Sequence, residues 1–387
     1  MHRRTFIKIG GATAAALFFS PDLFASRVYG EEKILILLEL KGGNDGLNTV
    51  VPLGSRHALY RRMRPNLAIA ENDAISLTSQ WGLHPALAAL HGLWDENSLA
   101  IVHGVGYPRP NRSHFRSIDI WNAASHDPHI STGWVDAFFG KVGYSDPIPA
   151  VVMGGGDAGP LEGPHLPTVT MHSPERFIRQ AKTIPYIRQK STFPPTLAYI
   201  VSMQNRVVAT AEKLERKLQK NVSLNRHFPQ TALGKNFSHI ARLIAAGVNT
   251  SVYKLTLGGF DTHVTQKKRH AQLLKTFAEA TAAFADTMKE IGRWEDVVVM
   301  TYSEFGRRAS ENGSGGTDHG TASVQFLLGG GVRGGFYGQA PSLEKLDGNG
   351  DLIFTTDFRS VYHSVARHCF GKSFGRIDGY LPLELFT

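Results

Sequence analysis

Lys33-Ile34-Leu35-Ile36-Leu37-Leu38-Glu39-Leu40-Lys41-Gly42-Gly43-Asn44-Asp45-Gly46 is the segment on which the fold turns. From Lys33 to Leu40 the run is almost wholly apolar, without the alternation of a half-exposed strand. It stops at a glycine pair. A run of this kind is expected where both faces are covered, as in a central strand of a parallel sheet. Asp45 then stands just past the carboxyl end, where open α/β sheets gather their ligands.

Similar runs follow along the chain. Residues 99–103, 149–153, 251–257, 296–301 and 323–328 read as five further strands. The second ends at Gly104 and the third at Gly154-Gly155-Gly156. Helical patterns lie between them at 85–94, 195–220, 234–246 and 267–291. The last carries Leu273, Leu274, Phe277, Ala280, Phe284 and Met288 at helical spacing. Alternating strands and helices predict an α/β sandwich around a mainly parallel sheet. No linker divides residues 31–387, so one domain is expected, with a mostly helical insertion around 155–235.

The N-terminus reads as an address. Arg3-Arg4-Thr5-Phe6-Ile7-Lys8 matches a twin-arginine export signal, and residues 9–19 form an 11-residue apolar segment. A bilayer span needs about 20 residues, so this segment suits a signal peptide. Cleavage is expected near residue 25 or 30, with an uncleaved N-terminal anchor as the alternative. The expected location is the periplasm, or otherwise outside the cytoplasm, with the twin-arginine translocase as a partner during export. No later segment has the length of a stable transmembrane helix. One cysteine, Cys369, cannot form an intrachain disulfide, so the core must hold the fold.

The formal net charge is +9, and +7 once Arg3, Arg4, Lys8 and Asp22 are removed with the first 25 residues. No zinc-finger, RRM or basic-zipper pattern accompanies the basic residues, and no nucleic-acid partner is expected. An anionic small molecule or polymer as substrate, or an envelope surface, fits the charge.

Acids and histidines recur at the strand mouths. Asp45, Asp261-Thr262-His263, Ser303-Glu304-Phe305-Gly306-Arg307 and Thr317-Asp318-His319-Gly320 are the clusters. Oxygen and imidazole donors brought to one edge suit a divalent metal, whether zinc, calcium, manganese or magnesium. Asp45, Asp261, His263, Glu304, Asp318 and His319 are the candidate ligands. Each also has a structural reading: Asp45 in a turn, Asp261 or Thr262 as a helix cap, and Glu304 in an ion pair with Arg307 or Arg308. Arg307 is alternatively a clamp for an anionic group. Thr317–Gly320 precedes the strand at 323–328, so that strand must run antiparallel to deliver His319 to the same edge. Ser113, beside His114, is the candidate nucleophile, with a helix N-cap as its other reading. His114 is a candidate catalytic helper, ligand or substrate contact.

The strings Leu40-Lys41-Gly42-Gly43-Asn44-Asp45-Gly46-Leu47-Asn48, Leu83-His84-Pro85-Ala86-Leu87, residues 112–121, Gly259-Phe260-Asp261-Thr262-His263, Ser303–Arg307 and Thr317–Gly320 occur in order. In these the chain resembles the twin-arginine-exported family called domain of unknown function 1501. That family is similar to the alkaline phosphatase and sulfatase superfamily. The resemblance implies an alkaline-phosphatase-like α/β/α sandwich with metals at the carboxyl edge of its sheet. Asp45, the Asp261 and His263 pair, and His319 match superfamily ligand positions. Glu304-Phe305 departs from the superfamily's Asp-His pair. Two functions are therefore expected. One is an exported metallohydrolase-like protein acting on phosphate or sulfate esters. The other is a non-catalytic envelope binding protein that keeps the fold, with Trp81, Trp94, Trp121 and Trp134 as possible sugar contacts.

Overall fold

The side chains of the opening strand divide by parity. In β1 (Ile34–Lys41), Ile34, Ile36, Leu38 and Leu40 enter one buried core, while Leu35 and Leu37 enter another on the opposite face. Period-two geometry sends neighbours to opposite sides, so a strand covered on both sides must be apolar at every step. The computed structural model describes residues 33–143, 148–188, 190, 192–219, 224–372 and 375–387. The expected export signal lies outside the described residues.

In chain order the other strands are β2 (Val50–Pro52), β3 (Ile75–Ser76), β4 (Trp81–Leu83), β5 (Leu99–Gly106), β6 (Ala150–Met153) and β7 (Thr168–Met171). They are followed by β8 (Val252–Gly258), β9 (Val297–Tyr302), β10 (Ser323–Leu328), β11 (Gly335–Tyr337) and β12 (Thr356–Asp357). Among the described residues the main sheet has the order β11-β5-β10-β9-β1-β8-β6-β7, with β12 also on β5. β1 pairs in parallel with both β8 and β9, and β6 in parallel with β7 and β8. β10 is antiparallel to β5 and β9. The sheet is thus mixed and mostly parallel, with 323–328 running against it as the position of Thr317–Gly320 required. β2, β4 and β3 make a separate small antiparallel sheet.

The helices are α1 (Gly46–Thr49), α2 (His57–Met63), α3 (His91–Asp95), α4 (His114–Ala123), α5 (Trp134–Val142), α6 (Pro174–Ala181), α7 (Pro195–Leu218), α8 (Ala232–Ala245), α9 (Gln266–Glu290) and α10 (Phe358–Phe370). One face of the sheet is covered by α8 and α9, through Phe237, Ile240, Phe277 and Phe284. The other is covered by α4, α5 and α10, through Ile120, Trp134, Phe138, Val361 and Tyr362. This is a three-layer α/β/α sandwich. The helix expected at 85–94 is instead a 3₁₀ turn, Pro85–Leu90, followed by α3. The tryptophans pack rather than form a sugar platform. Trp121 and Trp134 are buried, stacked on Phe358 and Tyr362. Trp81 and Trp94 lie against Phe336. Among the described residues no helix is long and apolar enough to cross a membrane.

Candidate metal centre

β9, β1 and β8 are adjacent, and each is followed by a carboxylate. The three acids nevertheless meet different fates. Asp45 N-caps α1 and accepts from the Asn48 backbone N–H at 3.4 Å. Its carboxylate also takes Arg64 Nη1 at 2.6 Å and the Gln266 amide, and it is sealed from solvent. Burial pushes its pKa up, but Arg64 and His270 outweigh that and hold it below the ordinary value. Asp45 is therefore spoken for by a buried ion pair, 19 residues away in sequence from its arginine.

Glu304 is buried beneath the edge. Its two oxygens accept the Gly42 N–H at 2.9 and 3.1 Å, and Oε1 lies 2.7 Å from His114 Nδ1. Burial raises its pKa, and the bonds from His114 and the backbone bring it below the ordinary range. Gly42 lets the Phe260–Asp261 loop pack against this turn. Its φ is +120°, and a Cβ there would collide with the Asp261 backbone N.

Asp261 is the open one, with its side chain 45% exposed. Oδ1 lies 2.7 Å from Arg307 Nη2, 3.0 Å from His263 Nε2 and 3.1 Å from His319 Nε2. Oδ2 lies 3.6 Å from His114 Nε2. Partial burial works against ionisation, but bonds from Arg307 and His319 prevail and hold the pKa at about 2.

The histidine tautomers follow from their other nitrogens. His319 Nδ1 faces the Arg112 carbonyl at 2.9 Å, and a carbonyl can only accept, so Nδ1 carries the proton. The Nε2 of neutral His319 is then a lone pair. It faces a carboxylate oxygen at 3.1 Å and His263 Nε2 at 2.9 Å. Two lone pairs at that distance repel unless a proton or a cation lies between the groups. His114 repeats the pattern: Nδ1 donates to Glu304, while its buried Nε2 has no hydrogen-bond partner. Imidazoles anchored through one nitrogen by a carboxylate or carbonyl, with the other aimed inward, are arranged as metal ligands. His114, Asp261 and His319 offer donor atoms all within 4.8 Å of one another. Two imidazole nitrogens and one carboxylate oxygen are donors of the kind that hold a divalent ion. His263 stands against this trio with Asp318 Oδ1 3.5 Å behind its Nδ1. The Glu304 bond raises the His114 pKa against the effect of burial, whereas burial lowers that of His319.

The surrounding residues explain why the loops arrive there. Arg307 is buried and binds the carbonyls of Gly42, Gly43, Phe260 and Thr317 as well as Asp261. Its guanidinium ties three loops together, leaving little of it for a substrate. The Arg307 and His319 backbones form an antiparallel bridge, so the β9–β10 connection folds back and delivers Asp318 and His319 to the edge. The Phe305 ring packs 4.8 Å from His114 and 4.6 Å from His319. Asn312 bonds both Asp318 and the His263 carbonyl. Gln266 accepts the hydroxyls of Thr262 and Thr317 and donates to Asp45. Ser113 occupies the N-cap position of α4 without a side-chain capping bond and is exposed. Among these, Arg64, Gln266 and Asn312 escaped the sequence reading. Arg64 reaches Asp45 across 19 residues, Gln266 reaches Thr317 across 51 and Asn312 reaches the His263 carbonyl across 49.

Residues 196–349 match the family model described as Protein of unknown function (DUF1501). The DUF1501 match spans Asp261, His263, Glu304, Arg307, Asp318 and His319 and stops short of Asp45, Ser113 and His114. Among solved structures, the chain is similar to a protein in the alkaline phosphatase superfamily from Vibrio parahaemolyticus. The identity is 10% and the TM-score 0.40, with 89% of this chain and 71% of that chain covered. It is similar to the C-terminal periplasmic domain of EcEptC from Escherichia coli at 10% identity and TM-score 0.38, covering 91% and 85% of the two chains. It is similar to the PsFucS1 sulfatase from Pseudoalteromonas sp. at 10% identity and TM-score 0.37, covering 87% and 68%. No curated protein matches the sequence.

Proposed function

We propose that this chain is an exported metal-dependent hydrolase of phosphate or sulfate esters. The observation that carries the reading is the convergence of His114 Nε2, Asp261 and His319 Nε2, with both histidines anchored from behind. Those three residues would hold a divalent ion, with His263 at its side. An ion there supplies positive charge to the oxyanion that develops as an ester bond breaks.

The chain's own residues support the rest. Arg112 and Arg308 flank the edge. Arg112 lies 3.3 Å and Arg308 3.6 Å from the buried carboxylate of Asp351. Both guanidinium groups are partly exposed and could bond the oxygens of an anionic ester. Ser113, exposed and adjacent to His114, is the candidate nucleophile. His263, with Asp318 behind it, is the candidate to take up or return a proton. Export through the twin-arginine pathway to the periplasm belongs to the same reading and rests on the N-terminal sequence. One observation favours the non-catalytic alternative. Arg307 already occupies Asp261 Oδ1, the atom nearest two histidines, and a cation so close opposes a second positive charge.

The test is elemental analysis of protein purified from its native exported fraction, followed by hydrolysis of aryl phosphate and aryl sulfate. Stoichiometric divalent metal, with turnover lost in Asp261→Asn and Ser113→Ala, is expected. Stoichiometric metal without turnover would leave the binding-protein reading. No metal and no turnover would overturn the proposal.

A further inference from the structure

Residues 176–211 contain no aspartate or glutamate. Six basic residues fall in that stretch, and Arg176, Arg179, Lys182, Arg188, Lys190 and Arg206 are all exposed. Lys182 is engaged by Glu215. The other five have no ion pair among the described residues. The stretch begins in α6, crosses a loop and runs into α7.

Four of the nine large exposed apolar side chains among the described residues lie in the same stretch. Tyr186 is 70% exposed, Tyr199 65%, Ile200 54% and Leu197 42%. The loop is pinned to the helix. Gln204 Nε2 donates to the Pro185 carbonyl at 2.7 Å, and Asn205 bonds Ile187 through both its amide atoms, at 3.1 and 2.7 Å. Tyr186 and Arg188 are thereby held beside Arg206. Arg206 follows Tyr199 by seven residues, about two helical turns, and so shares its face. Aromatic and aliphatic side chains are thus interleaved with cations, and among the described residues no carboxylate pairs with Arg188 or Arg206.

Exposed apolar side chains set among unpaired cations on one loop and helix mark an interaction surface. Its complement must be both apolar and anionic. We infer that this face docks on an anionic lipid bilayer. Tyrosine is suited to the headgroup level because its ring is apolar and its hydroxyl polar. Ile200 and Leu197 enter the acyl boundary, and Arg188 and Arg206 meet lipid phosphates. The contact is peripheral, and it lies on α7 and its loop rather than on the residues of the metal edge.

The test is co-sedimentation of the full chain with vesicles of phosphatidylcholine alone or containing about 30 mol% phosphatidylglycerol. Binding to the anionic vesicles is expected to be about tenfold stronger and to collapse at about 0.5 M salt. Tyr199→Ser with Ile200→Ser, and Arg188→Ser with Arg206→Ser, are each expected to weaken it about fivefold or more. The first 30 residues are the same in every variant, so the differences read the patch alone. All four side chains are exposed, and an unchanged thermal midpoint confirms intact folding. Equal binding by native protein and both variants would overturn the inference. So would vesicle-independent self-association that disappears in the Tyr199/Ile200 variant, which would make a second copy the occupant. Retained binding to soluble polyphosphate with no vesicle binding would overturn it in favour of an anionic polymer.

Discussion

Asp45 and Asp261 look alike in sequence: each is an aspartate a few residues past a buried strand and beside glycines. In the fold their strands, β1 and β8, are neighbours, yet the two carboxylates have opposite surroundings. Asp45 is enclosed, paired with Arg64 and bonded to Gln266. Asp261 is half open and faces three imidazoles. One acid closes the fold and the other is available for chemistry. Both acids meet a buried arginine, Arg64 at 2.6 Å and Arg307 at 2.7 Å, and what separates them is that Asp45 is sealed from solvent while Asp261 stays half open to the histidines.

The largest expected effect lies on the closed side. Arg64→Ala leaves the Asp45 charge buried without its partner, and stability should fall by about 3–5 kcal/mol in denaturant unfolding. A smaller loss would mean that the two halves of the edge differ less than their burial indicates. On the open side the balance reverses. Asp261→Asn should change stability by about 1 kcal/mol or less, because Asp261 is half exposed and the buried Arg307 keeps its carbonyl partners. Divalent-metal affinity, read by equilibrium dialysis, should nevertheless fall about a hundredfold or more. Equal affinity would remove Asp261 from the ligand set.

Acid provides a third way to separate them. The folded-state pKa of Asp45 is lowered. Its stabilisation is therefore complete above the unfolded value near 3.9 and is lost as pH falls through the folded value. Below about pH 4, the unfolding midpoint of the native chain should drop more steeply than that of Asp45→Asn, measured over a pH series. The smallest effect concerns the support behind the open site. Glu304→Gln removes the charge that raises the His114 pKa. His114 should titrate lower in metal-free protein by NMR, and metal affinity should weaken about tenfold.

The sheet was legible because both its faces are covered. Runs such as Leu35-Ile36-Leu37-Leu38 and Val297-Val298-Val299 cannot satisfy one-sided burial, and the strands at 99–106, 252–258 and 323–328 begin within a residue or so of where their apolar runs do. The antiparallel course of β10 was readable from logic rather than pattern: His319 precedes its strand and had to reach the edge where the others end. Short edge strands were not legible. Thr168–Met171 is only partly buried, and Gly335–Tyr337 holds its place through pairing with β5 more than through composition. The helix Phe358–Phe370 mixes Arg, His and Ser with its apolar residues, and its register becomes clear only against the sheet face it covers. At the site, Asp261, His263 and His319 were found as local strings. The burial of Arg307 and the capture of Asp45 by Arg64 were not, because each depends on partners supplied by separate loops.

Gln266 touches both halves of the edge, giving one hydrogen bond to Asp45 and taking two from Thr262 and Thr317. A neutral amide adds no charge of its own between the two halves. Gln266 is in this sense a dowel: through its hydrogen bonds the rigidity of the sealed network reaches the loops that carry Asp261, His263 and His319.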